Sequence, residues 1–237
     1  MSNFVLVHGA WHGGWCWDRV AALLRDEGYQ VFTPTLAGLA ERRGELSRAI
    51  GLSTHVADIV DLVRDADLRD VTLVGHSYGG FPATAAASRL VGRVRRLILL
   101  DAFLPADGEM LLDHAPMLIE RYAEARDGDP DWHIPPLPSA AFGVGDADQA
   151  WVDARLTPQP VGSYFERIRC AHPMGIAHKN YIRCTRAPGE LLERSLARVR
   201  QTADWHYAEL DATHDAMITH PQALAQLLAA LAGTSKT

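Results

Sequence analysis

The chain has 237 residues, of which 48% are hydrophobic and 22% charged, and its net charge is −6. That length suits one large domain with a sizeable core, and the lack of any basic block excludes nucleic acid and anionic membrane as expected partners. Three scattered cysteines, Cys16, Cys170 and Cys184, suggest neither a disulfide framework nor a zinc site, and fit a reducing cytoplasm.

The N-terminus runs almost directly into Phe4-Val5-Leu6-Val7, with no basic leader region, so no signal peptide is expected. No uninterrupted apolar stretch of about 18 residues occurs, so no membrane span is expected. The run from Phe4 to Val7 has the character of a strand buried on both faces of a parallel sheet. It ends in His8-Gly9-Ala10-Trp11-His12-Gly13-Gly14-Trp15. A helix follows with Val20, Leu23 and Leu24 on one face, stopped at Gly28. Gln30 to Thr33 predicts the next strand. Ser53 predicts an N-cap for a helix carrying Val56, Ile59, Val60 and Val63.

Val71-Thr72-Leu73-Val74 then leads into Gly75-His76-Ser77-Tyr78-Gly79-Gly80 and an alanine-rich helix. Strand, sharp turn and helix around Gly-x-Ser-x-Gly read as a nucleophile elbow. The turn forces the serine into a strained backbone, and glycines two residues to either side remove side chains that would collide. The helix N-terminus beside it supplies N–H groups and partial positive charge. Arg96 to Leu100 is a further buried strand, with Asp101 at its end.

Strands alternating with helices predict a doubly wound α/β sheet, whose chemistry collects at the carboxyl ends of the strands. The His8 loop, Ser77 and Asp101 all fall at such ends. From about residue 105 to 178 the alternation lapses. This stretch holds nine prolines, among them Pro130 and Pro173, and large apolar residues such as Met110, Leu118, Trp132 and Phe142. It is too apolar for a solvated linker and too long for an ordinary loop. It predicts a helical cap over the active face, on a core of residues 1–104 and 179–237 within a single domain. The sheet resumes at Asn180 to Cys184. A helix over about Glu190 to Gln201, a strand over Trp205 to Leu210, the loop with His214, and a helix from Pro221 to Leu231 complete the chain.

Three ordered motifs now carry a resemblance. The stretch from His8 to Trp17, the elbow at residues 75–80, and Thr213-His214-Asp215-Ala216-Met217 before Pro221 resemble the plant methylesterase and hydroxynitrile lyase branch of the α/β-hydrolases. The similarity spans nearly the whole chain and is weakest in the cap. It implies an α/β-hydrolase fold with a mostly parallel six-stranded sheet and a cap inserted after the strand ending at Asp101.

The expected machinery follows residue by residue. Ser77 is the nucleophile and needs a base to activate its hydroxyl. Of eleven histidines, His214 is that base, after the last strand, as the order serine, acid, histidine requires. The hydroxyl and the imidazole are expected within bonding distance. His76 should point away from Ser77, and His8 orders its own loop. His8 and His12 lack a third ligand for a metal; neither metal nor cofactor is expected. His55, His114, His133, His172, His178, His206 and His220 have no motif and default to surface or cap roles. The N–H groups of Ala10 and Tyr78 form the expected oxyanion hole. Gly9, Trp11 and Trp132 are assigned to substrate binding.

The acid departs from the family pattern, Cys-Thr-x-Asp after the next-to-last strand. Here it reads Cys184-Thr185-Arg186-Ala187. Asp101 is the favoured replacement; Glu190 reaching back, or no acid and slow turnover, are the alternatives. Asp215 adjoins His214 and is badly placed for its Nδ1, and Asp211 is suited to cap the loop. The lyases of this branch carry Thr and Lys where Gly9 and Asp215 stand, which disfavours cyanohydrin cleavage. Hydrolysis of a small hydrophobic or aromatic ester, such as a methyl ester, is expected. A small-molecule binding protein and an acyl-transfer or lactone-processing enzyme are the alternatives. The partner is a small-molecule ester; a homodimer stays open.

Overall fold

The computed structural model describes residues 3–128, 132–170 and 175–233. Pro130, His172 and Pro173 lie outside them. Six strands build the central sheet: β1 (Asn3–Val7), β2 (Gln30–Phe32), β3 (Val71–His76), β4 (Val94–Leu100), β7 (His178–Cys184) and β8 (Trp205–Leu210). Their order is β2-β1-β3-β4-β7-β8, and every pair is parallel. Between β4 and β7 the chain forms a small antiparallel pair, β5 (His133–Ile134) and β6 (Gln159–Pro160).

The apolar runs are continuous because both faces of the sheet are covered. Side chains alternate between them. Val5, Val7, Leu73, Leu97, Leu99 and Tyr181 enter one core, with helices α2 (Leu52–Asp65), α3 (Gly80–Arg89) and α7 (Glu193–Gln201). Phe4, Leu6, Val74, Ile98, Leu100 and Ile182 enter the other, with α1 (Asp18–Asp26), α8 (Ala216–Thr219) and α9 (Pro221–Gly233). Each fully buried residue of this kind contributes about 1.5–3 kcal/mol. No helix among the described residues is long and apolar enough to cross a membrane.

The intervening segment is built from α4 (Ile119–Gly128), α5 (Asp146–Asp153), α6 (Gly162–Phe165), several single turns of 3-10 helix and the β5–β6 pair. It is therefore less purely helical than expected; two-residue strands carry no readable period. The start of α2 also differs from expectation. Gly51 is the N-cap, and Ser53 lies inside the first turn, where its N–H donates to Glu166 Oε2 at 2.9 Å. A carboxylate from a distant part of the chain satisfies the helix end that a serine hydroxyl was expected to serve.

Candidate active site

Ser77 sits between the end of β3 and α3 with φ +52°. Left-handed backbone at a residue with a Cβ costs roughly 1–2 kcal/mol. The glycines explain how the turn closes. A Cβ on Gly75 would lie 2.7 Å from Gly79 O, and one on Gly79 would lie 2.6 Å from His8 O. Trp11 (φ +65°) and Asp101 (φ +42°) are strained in the same way. Strain of this kind persists only where the surroundings over-determine it, and here three such residues meet at one edge of the sheet.

Asp101 directly follows β4, the neighbour of the elbow strand, and its N–H continues the ladder to Ile182 O at 2.7 Å. Its carboxylate is fully buried and divides its two oxygens. Oδ2 accepts from His214 Nδ1 at 2.6 Å. Oδ1 accepts from the Arg183 guanidinium and from Cys184 N–H at 3.2 Å. Burial alone pushes the carboxyl upward, but His214 and Arg183 outweigh it and hold it below the ordinary range. Arg183 also donates to Cys184 O and Ala187 O, both at 2.6 Å. It secures the turn whose last position, Ala187, is where the family pattern has its acid. Sequence reading gave Arg183 no part, since an arginine near a strand end is unremarkable.

With Nδ1–H bound to Asp101, the His214 ring keeps Nε2 for the cavity, and its side chain is 19% exposed. Ser77, His214, Ala10 and Tyr78 all line that cavity. No direct hydrogen bond joins Ser77 Oγ to the His214 ring, contrary to expectation. Serine–histidine contacts are often long before substrate closes them. Glu190 also lines the cavity but bonds no histidine among the described residues. Asp211 does not cap its loop; it pairs with Arg186 at 2.5 Å on the surface.

The remaining histidines divide clearly. His8 Nδ1–H donates to Gly9 O at 2.8 Å, and its Nε2 accepts Leu36 N–H at 3.1 Å. His76 turns away from Ser77 and donates from Nε2 to His214 O at 3.0 Å. His55 is not a surface residue: it is buried, donating to Ala37 O at 3.0 Å and accepting from the Tyr78 hydroxyl at 2.6 Å. His114 is likewise buried, against Glu109. His76, His214 and Asp215 form the one cluster among the described residues with metal-ligand spacing. Of its ring nitrogens, His76 Nε2 is already committed to the His214 carbonyl and His214 Nδ1 to Asp101.

Burial holds His8 and His76 down to about 3 and His55 to about 4. Each is neutral when folded and has an ordinary value near 6.5 when unfolded. The unfolded chain therefore binds protons below pH 6.5 that the folded chain refuses, and stability falls as pH drops. Three such groups give a slope of up to about 4 kcal/mol per pH unit near pH 5. Denaturant midpoints measured from pH 7.5 to 5 should decline steeply; a flat profile would contradict the neutral histidines.

The cavity has a volume of about 290 Å³ and is walled by Phe103, Leu111, Leu118, Tyr122, Phe142 and Tyr164. Among the described residues lining it, Glu190 is the one carboxylate, and no lysine or arginine is present. Trp11 lines it. Gly9 does not: a Cβ there would meet Ser77 Cβ and His76 Nδ1 at 3.0 Å, so its smallness serves the approach of two loops rather than of a substrate. Trp132 does not line it either; its ring lies 4.7 Å beneath the Arg48 guanidinium carbon. A tryptophan in a proline-rich stretch carries no sequence signal for the direction it faces.

Residues 4–227 match the Alpha/beta hydrolase family. A carbendazim hydrolyzing esterase of Nocardioides sp. (strain SG-4G) is 33% identical over 98% of this chain and 100% of its own length. Methylesterase 10 of Arabidopsis thaliana is 33% identical over 44% of this chain and 38% of its own length. Among solved structures, an extracellular alpha/beta-hydrolase of a Paenibacillus species superposes with a TM-score of 0.84 at 24% identity, covering 99% of this chain and 100% of that one. That hydrolase is described as sharing structural and functional homology with tobacco salicylic acid binding protein 2.

Proposed function

The chain belongs to the alpha/beta hydrolase family, and from that premise we propose that it is a serine esterase acting on small, uncharged, apolar or aromatic esters. Its class, carboxylic ester hydrolase, is that of its esterase relatives. The observation that carries the mechanism is the 2.6 Å bond from His214 Nδ1 to Asp101 Oδ2. It fixes the tautomer in which Nε2 is a free base.

Ser77 Oγ attacks the ester carbonyl carbon while His214 Nε2 takes its proton. The carbonyl oxygen becomes an oxyanion, held by the N–H groups of Ala10 and Tyr78. The intermediate collapses, the alcohol leaves with the proton from His214, and the acyl group stays on Ser77. Water then attacks the acyl-enzyme, giving its proton to His214, and the carboxylic acid departs as Ser77 recovers its hydrogen. Asp101 stabilises the imidazolium formed in both halves. The apolar wall and the lack of lysine or arginine among the described lining residues favour substrates without a free carboxylate, which would enter unpaired.

Turnover of p-nitrophenyl acetate and labelling by a fluorophosphonate test the reading, with carbendazim and aromatic methyl esters as further probes. The expected result is turnover and one adduct, on the peptide containing Ser77. Tight ligand binding without turnover would make the protein a receptor instead, and an adduct elsewhere would remove Ser77 from its role.

A further inference from the structure

The mechanism above uses neither His12 nor Asp215, yet both are buried beside it, at 2% and 0% exposure. His12 Nδ1 lies 2.8 Å from Ala10 O. Its Nε2 lies 3.1 Å from Asp215 Oδ2. A carbonyl oxygen and an ionised carboxylate can only accept hydrogen bonds. Both ring nitrogens must then carry protons, which makes His12 an imidazolium with Asp215 as its counter-ion.

The two partners belong to the two halves of the machinery. Ala10 is in the loop after β1 that supplies an oxyanion donor, and Asp215 directly follows His214. We propose that the His12–Asp215 ion pair is a positioning device that locks the oxyanion loop to the histidine loop, a role that rests on the esterase reading. His12 pins the peptide after Ala10 through its carbonyl. His8 pins the peptide that carries the Ala10 N–H, through Gly9 O. The donor is thereby held from both sides.

The surroundings support a charged pair. Burial pushes His12 downward, but Asp215 outweighs it and raises its pKa above the ordinary range; in return Asp215 is held low against its own burial. The Trp15 ring stacks on the imidazole at 5.4 Å, so an aromatic face meets the cation, and the Phe142 ring lies tilted at 5.6 Å. The titratable groups facing the pair are His8, His76, His214, Cys16 and Cys184. His76 Nε2 stands 3.9 Å from Asp215 Oδ1 and donates elsewhere, leaving Oδ1 without a hydrogen bond among the described residues. An orphaned carboxylate oxygen in the interior is costly, and this one belongs to a residue clustered with His76 and His214.

Two measurements on the full chain test this. In ¹⁵N-labelled wild-type protein, with ring signals assigned through bonds, both nitrogens of His12 should show protonated shifts at pH 7.5. A neutral His12 ring would overturn the proposal, whatever the enzyme's activity. In steady-state assays, His12→Gln and Asp215→Asn should each lower kcat about 10- to 100-fold, short of the 10²–10³ lost with an oxyanion donor itself. KM should stay within about threefold, and the double variant should be no worse than the poorer single one. Folded single variants with unchanged kcat, or effects that multiply, would overturn it. An inactive wild type would instead defeat the esterase reading, and the positioning role with it.

Discussion

Asp101→Asn should lower kcat by about 10⁴, the loss typical of a triad carboxylate replaced by its amide, with KM little changed. The reason is a competition for one acceptor. Asp101 takes bonds from three donors: Arg183 and Cys184 N–H on Oδ1, His214 on Oδ2. Asparagine has a single acceptor oxygen. Two donors on the Arg183 side claim it, so the amide NH₂ turns to His214 Nδ1. That nitrogen must then accept, the proton moves to Nε2, and the ring no longer serves as a base for Ser77. Arg183 keeps its bonds to Cys184 O and Ala187 O, which preserve the local fold. Steady-state rates on a p-nitrophenyl ester, with circular dichroism as a folding control, decide it. A loss below tenfold would remove Asp101 from the mechanism. Glu190→Gln, the control for the competing acid, should stay within about threefold.

Ser77→Gly should reduce kcat still further, by about 10⁶, since nucleophile and base act as one unit. Its effect on stability has the opposite character. At φ +52° the serine Cβ is under steric strain, and glycine relieves roughly 1–2 kcal/mol of it. Against this, glycine loosens the unfolded chain by about 0.4–1 kcal/mol. The variant should therefore unfold at the same denaturant concentration as the wild type or slightly higher. A marked drop would mean that the elbow is not strained, and residual turnover above about one part in 10⁴ would mean that another group attacks.

What the sequence made legible was whatever depends on short-range pattern. Runs such as Phe4–Val7 and Leu97–Leu100 are apolar at every position because both faces are buried, so the strands and the strand-end residues Ser77 and Asp101 could be read directly. The strained turn announced itself through Gly75 and Gly79. The proposed acid was harder, and Asp101 emerged as the candidate only because it ends the strand beside the elbow. The illegible features depend on the fold bringing distant groups together. His12 and Asp215 are 203 positions apart, and Arg183 and Asp101 are 82 apart. Nothing local marks either pair. Trp132 packs against Arg48 outside the cavity lining, because composition shows that a cap is apolar but not which aromatics turn inward.

The attachment of Trp11 to the segment above it has a consequence for recombining this enzyme with its relatives. The Trp11 N–H donates to Gln159 Oε1 and its indole to Ile134 O, both at 3.0 Å, while its carbonyl accepts Thr157 N–H at 2.9 Å. A chimera that imports a foreign cap loses the Gln159 carboxamide unless the donor happens to carry its equivalent, and with it one restraint on a residue held at φ +65°. Crossover points on either side of residues 105–178 therefore exchange more than specificity, and libraries that shuffle this segment should keep Gln159 with Trp11 as an inherited unit.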